Sequence, residues 1–258
     1  MKLRKFTCAV AATLLAATAF ALYSPQRKAT DRYDRHGVMV GHNTDRPVVY
    51  MVFSADSMFE GAPHALDVLE RRGIKASFFF TGNFLRDTVH KAIINRIING
   101  GHYVGGHSDG HILLADWDDK RTPLVTDDSM LADVRRNLSL LESFGIRRDS
   151  CRWFMPPFEW IAAPQVPVLR DSLGLEIINP TPGIQIFRDY TTPGMPDYHS
   201  SDSILRQLYD FESRKGLNGV FLIIHLGTQD VRTDKLYLHL DEILDTLAAR
   251  GYTLDRLH

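Results

Sequence analysis

Apolar and polar positions alternate along the chain in blocks that predict strands and helices in turn. The run VVYMVFSAD from Val48 is continuous apolar sequence of strand length, ended by Asp56. It is followed by a helical candidate from Ala62 to Arg72, the strand KASFFFTG, and a helical candidate from Phe84 to Asn99 that stops at Gly100-Gly101. HYVGGHS is a third strand. DSMLADVRRNLSLLESFG then places apolar residues at helical spacing, with Asp127 or Asp128 placed to cap its start. RWFMPP, LEIINP and GVFLIIHLG are further strands, and Ser201 to Lys215 and Asp234 to Arg250 are further helical candidates. Short apolar strands alternating with helices over about 210 residues imply a parallel α/β fold, either a barrel or an open doubly wound sheet.

In either architecture the carboxyl ends of the strands carry the chemistry. The polar residues there are Ser54 and Asp56, Thr81 and Asn83, then His107, Asp109 and His111, then the 156–159 turn, and finally His225. They converge on one face. His107 and His111, four apart behind two glycines, together with a carboxylate from another strand end such as Asp56, would form a three-ligand site with room for water. Singly each feature is weak: with 11 histidines in the chain a pair at this spacing arises by chance, Asp56 could cap a helix, and His225 could be a strand-end histidine bonded to backbone.

Outside this alternating region the chain opens with a basic start (Lys2, Arg4, Lys5), an uncharged apolar stretch from Phe6 to Tyr23, and Ala19 and Ala21 in an A-x-A arrangement. That pattern predicts a secretory signal over residues 1–21, or an uncleaved membrane anchor. Residues 22–46 are polar and aperiodic and read as a linker, which leaves residues 47–258 as one domain. Removing residues 1–21 moves the net charge from -1 to -4, so nothing favours nucleic acid, which binds basic surfaces. Cys151 is then the one cysteine left, and stability must come from the core rather than an internal disulfide. The expected location is outside the cytoplasm, in the periplasm, cell envelope or medium, with membrane contact only through an uncleaved N-terminal segment. Oligomeric state is not legible.

From Val48 onward the chain resembles the polysaccharide deacetylases (NodB-homology domain, carbohydrate esterase family four). That family reads roughly TFDDG, a spacer with proline, LDIL, a glycine and KATFF; here stand FSAD, Pro63, LDVL from Leu66, Gly73 and KASFFFTGNF from Lys75. HSDGH resembles its H-S-x-x-H, WFMPPF its F-R-P-P-Y, and LIIH its late L-x-H. The resemblance implies a distorted, incomplete (β/α) barrel that hydrolyses N- or O-acetyl groups on a carbohydrate polymer. It implies one divalent metal ion, zinc first and Co, Ni or Mn as alternatives, held by Asp56, His107 and His111. It makes His225 the acid that protonates the leaving group, Asp189 of Asp189-Tyr190 the carboxylate that orients it, Ile223 a wall for the acetyl methyl, and Pro157 and Trp160 part of the substrate surface. Trp117 is a second candidate stacking surface. Asp189 has an alternative partner in Arg188.

Two departures stand out. The family's general base falls on Ala55, and the arginine that holds that base falls on Met155. Losing both together is physically coherent, because the arginine without its carboxylate would be a buried unpaired charge. Glu159 is the first candidate for a relocated base and Asp109 the second. The alternative is a weak or inactive metal- and glycan-binding protein on the same fold.

Overall fold

A computed structural model describes residues 30–258; the predicted signal, residues 1–21, lies outside them. Nine strands form one curled sheet: β1 (Asp31–Tyr33), β2 (Met39–His42), β3 (Val48–Ala55), β4 (Ser77–Phe80), β5 (Tyr103–Gly106), β6 (Trp153–Phe154), β7 (Glu176–Ile177), β8 (Val220–His225) and β9 (Thr253–Asp255). Their order is β1-β2-β8-β3-β4-β5-β6-β7, with β9 beside the start of β3. The pairings from β8 through β7 are parallel, as strands joined by helical crossovers must be. A single bridge between Met39 and Ile178 brings the far edge back toward β2. The result is an incomplete (β/α) barrel, the first of the two architectures the pattern allowed.

The period-two alternation of β3 explains why all eight of its positions are buried. Tyr50 and Val52 join Phe79, Met155, Phe221 and Ile223 in a cluster inside the barrel. Val49, Met51 and Phe53 pack instead with Leu66, Leu69 and Leu244 of the helices outside. The helices are α1 (Ala62–Arg72), α2 (Gly82–Arg86), α3 (Lys91–Asn99), α4 (Asp127–Ser143), α5 (Gln165–Leu173), α6 (Ser201–Lys215) and α7 (Leu240–Ala249).

Several expectations need correction. Residues 31–42, read as part of a linker, form the β1–β2 hairpin, whose β2 pairs antiparallel with β8; its short strands carry too little periodicity to stand out. The helix expected from Phe84 to Asn99 is broken at Asp87, which is extended and whose carboxylate accepts from the Val89 amide, capping a new turn. The cap of α4 is Thr126, whose hydroxyl accepts from the Ser129 amide; Asp127 and Asp128 fall in the first turn, where they complement the helix dipole. The helix expected from Asp234 begins as a 3-10 turn at Leu236–His239, because the Asp234 carboxylate is taken by the Ser201 amide at 2.5 Å. Helix α5 and strand β9 were not expected.

Candidate active site

A cavity of about 700 Å³ opens at the carboxyl ends of the strands and is lined by Ala55, Asp56, His107, His111, Glu159, Trp160 and His225, among others. Six of the predicted site residues thus meet there, drawn from the ends of β3, β5, β6 and β8.

His107 follows β5 and is fully enclosed. Its Nδ1 donates to the Met155 carbonyl at 2.7 Å, which leaves Nε2 as the lone-pair nitrogen. Burial, followed by the neighbouring His111, lowers its pKa to about 3, so it is neutral. The two imidazole centroids are 5.1 Å apart. His111 has its own pKa lowered by burial, against a raising influence from Asp56. Asp56 accepts through one oxygen, Oδ1, from the Thr81 hydroxyl at 2.9 Å and the Asn83 amide at 3.0 Å. Two neutral imidazoles and a carboxylate with one oxygen uncommitted to these bonds are a donor set that suits a divalent cation. Among the described residues, however, no three His, Cys, Asp or Glu side chains stand together at metal-ligating spacing.

The loop carrying both histidines is held from below by α4. Asp133 accepts from the Ser108 hydroxyl and the Asp109 and Gly110 amides. Asn137 accepts from the His107 amide and donates to the Phe80 carbonyl. These contacts keep Ser108 at φ +72° and His111 at φ +52°, a left-handed conformation rarely adopted by residues other than glycine. Gly106 is required beneath them, since a Cβ there would sit 2.5 Å from Asn137 Oδ1. Asp133 and Asn137 went unnoticed in the sequence; the signal was two polar residues four apart among the buried positions of an amphipathic helix.

His225 ends β8. Its Nδ1 lies 2.6 Å from Asp189 Oδ1, and its amide donates to Asp189 Oδ2 at 2.9 Å. Burial opposes charge on this imidazole, but Asp189 and then Glu159 outweigh it, and the pKa is raised. Asp189 is 1% exposed. Arg188 pairs with Asp197 instead, which removes the alternative partner for Asp189. Tyr190 packs edge-on to His225 at 5.5 Å.

Glu159 sits in a turn where it and Phe158 both have positive φ, 52° and 60°. Asn179 donates to its carbonyl at 2.7 Å. Burial raises the Glu159 pKa to about 7, with His225 lowering and Asp189 raising it. A carboxyl that titrates near neutrality beside a histidine of raised pKa is the usual arrangement of a base and an acid.

Other predicted residues fall elsewhere. Asp109 is turned away from the cavity and bonded by Arg86 and Arg136, so it is no candidate base. Ile223 is enclosed in the barrel interior, where the alternation of β8 turns it toward Met155, and Pro157 is buried within the 156–159 turn; neither is among the residues that line the cavity. Ala55 lines the cavity. Met155 is fully buried in the apolar barrel interior, a setting with no place for a lone guanidinium. Trp160 and the largely exposed Trp117 stand 5.3 Å apart at the cavity wall. Phe158, Tyr190 and Arg121, also lining it, were missed.

Residues 41–171 match the polysaccharide deacetylase family profile. The chain belongs to this family. A curated relative, the peptidoglycan-N-acetylmuramic acid deacetylase PdaA of Bacillus subtilis, is 35% identical over 71 residues, 27% of this chain and 26% of that protein. The chain spans about a quarter to a third of the length of the curated relatives it matches. Among solved structures, the Bc1960 peptidoglycan N-acetylglucosamine deacetylase aligns with a TM-score of 0.66 at 20% identity, covering 84% of this chain and 89% of its own. A carbohydrate esterase family four pseudoenzyme from Bacillus anthracis aligns with a TM-score of 0.65 at 17% identity, covering 85% of this chain and 66% of its own. The deacetylase fold thus hosts both active and inactive proteins.

Proposed function

We propose that this deacetylase family member is an exported, metal-dependent hydrolase that removes N- or O-linked acetyl groups from a carbohydrate polymer, with Glu159 in place of the base missing at position 55. The observation that carries this reading is the Glu159–His225–Asp189 constellation in the cavity that Asp56, His107 and His111 also line. When bound by those three residues, a divalent ion, zinc first and cobalt, nickel or manganese as alternatives, would polarise the acetyl carbonyl and lower the pKa of water. The chain's own residues do the rest. Glu159 accepts the proton of the attacking water, and His225 donates one to the departing amine or alcohol oxygen. Asp189 fixes the His225 tautomer with Nε2 toward the cavity. The exposed Trp117 offers a flat apolar face on which a sugar ring can stack, and Trp160, with Arg121 over its ring, extends the same wall. The peptidoglycan substrates in the relatives' names make a cell-envelope glycan the first substrate to test.

The test is acetate release from acetylated glycans with Zn, Co, Ni or Mn, against a His107→Ala/His111→Ala control. Release above the control that disappears in Glu159→Gln and in His225→Ala supports the reading. No release above it overturns the enzyme. A second reading, a metal- and glycan-binding protein without turnover, is favoured by Ala55 and by metal donors that are not drawn to ligating distance. Turnover that tracks metal occupancy rules it out.

A further inference from the structure

Arg121 lines the same cavity as Glu159 and His225. Its guanidinium carbon stands 3.7 Å from the centroid of the Trp160 ring, and its Nη1 donates to the Ile161 carbonyl at 3.3 Å. Its Nε is buried with no hydrogen-bond partner among the described residues. No carboxylate among them ion-pairs with it, although Asp34 is near enough to act on its charge. The residue is also held at φ +52°, a conformation an arginine adopts at some cost. A guanidinium does not give up its proton, so one that is half buried and without an anionic partner is stabilised when a ligand brings one. Arg35, next to Asp34 on the β1–β2 turn, acts on the same charge in the opposite sense to Asp34.

We propose that Arg121 is a specificity-determining residue that recognises a carboxylate on the glycan, which makes the preferred substrate an acidic sugar polymer. This rests on the carbohydrate reading of the cavity. The planar fork of the guanidinium matches a carboxylate, and its seat on Trp160 leaves it beside the surface on which a sugar would stack. A singly charged group is favoured over a phosphate, because Asp34, Asp56 and Glu159 line the same cavity and would repel a dianion. Two sources share the chemistry: the ring carboxyl of a hexuronic acid and the ether-linked lactyl carboxyl of an N-acetylmuramic acid.

The experiment measures Kd by calorimetry for the full chain with two pairs of acetylated oligosaccharides, one bearing hexuronic acid and one N-acetylmuramic acid. Each is compared with its carboxyl-reduced counterpart, and acetate release is followed in parallel. The acidic member of at least one pair is expected to bind roughly 10- to 100-fold more tightly than its reduced form, the size of a charge-assisted pair; which pair does so identifies the source. Arg121→Gln should remove this preference while leaving affinity for the reduced glycan in place, and Arg121→Lys should keep part of it. Equal binding of both members by the wild type, or equal losses on both in Arg121→Gln, overturns the assignment. Acetate release without acidic preference defeats this inference alone; acidic preference without acetate release defeats the catalytic reading alone.

Discussion

Glu159 should lower the stability of the folded chain at neutral and alkaline pH, and removing its charge should restore that stability. An unfolded glutamate titrates near 4.5, whereas burial lifts the folded Glu159 to about 7. Between these values the native state binds more protons than the unfolded state, so stability falls as pH rises through the window. At about 1.4 kcal/mol per pH unit, the full shift corresponds to roughly 3 kcal/mol. The side chain meets cavity water on one side, so a loss of about 1–3 kcal/mol by pH 8 is the working range. Glu159→Gln keeps the shape and cannot ionise. Urea unfolding of both proteins in EDTA, from pH 4 to 8.5, should give similar stabilities below pH 4.5 and a growing advantage for the variant above it, levelling off beyond pH 7. The metal-free condition matters because a nearby cation would pull the carboxyl back down. If the two curves run parallel across the whole range, Glu159 titrates like a surface carboxylate and its role as a base near neutrality is refuted. A residue kept at a cost to stability, on a turn with two consecutive left-handed residues, is what selection for chemistry rather than for folding leaves behind.

Further outcomes follow from the same contacts. Glu159→Gln should lower acetate release by about 10²–10⁴-fold while substrate affinity changes little, as steady-state kinetics would show. Asp189→Asn should lower the His225 pKa, seen by NMR titration of its ring protons, because the raising influence of Asp189 disappears; an unchanged titration would separate the pair. Asn137→Ala removes one hydrogen bond each from the His107 amide and the Phe80 carbonyl, which still bond each other at 3.1 Å, so the expected loss is about 0.5–1.5 kcal/mol per bond, measurable by chemical denaturation. Ala55→Asp alone should destabilise the fold, since position 55 is 4% exposed and Met155 provides no countercharge; addition of Met155→Arg should recover part of that loss in the same assay.

Much of the fold was legible because β3, β4, β5 and β8 are continuous apolar runs of strand length and α1 and α6 are bounded by clear signals. Pro63 opens α1 and Gly73, at φ +66°, closes it, and both helices match their expected bounds. Legibility failed where local chemistry overrode the pattern. The Asp87 cap cut a periodic stretch in two, whereas β6 and β7, expected from RWFMPP and LEIINP, form as strands of only two residues each, β6 beside β5 and β7 beside β6. The β1–β2 hairpin is polar sequence recruited by β8. Asp56, His107, His111 and His225 could be read because each ends an apolar strand. Arg121 and Phe158 could not, because their loops carry no period.

The vacancy at position 55 and the carboxylate at position 159 are best understood together. A base on β3 would need a buried countercharge at position 155, inside an apolar barrel built from Tyr50, Val52, Phe221 and Ile223. Met155 removes that requirement and fills the space with side chain, while its carbonyl still fixes the tautomer of His107. In the proposed reading the base stands instead on the 156–159 turn, at the cavity wall, where partial hydration and His225 oppose part of the effect of burial. Asn179, which donates to the Glu159 carbonyl at 2.7 Å, holds that turn, so Asn179→Ala tests the arrangement without touching a titrating group. It should lower kcat by roughly 10-fold with little change in KM, as expected when a base moves by a fraction of an ångström. It should also return the Glu159 titration, followed by NMR of the carboxyl carbon, toward the ordinary range as the turn opens to water. A variant that loses activity with Glu159 still titrating near 7 would show that Asn179 acts on something other than the base.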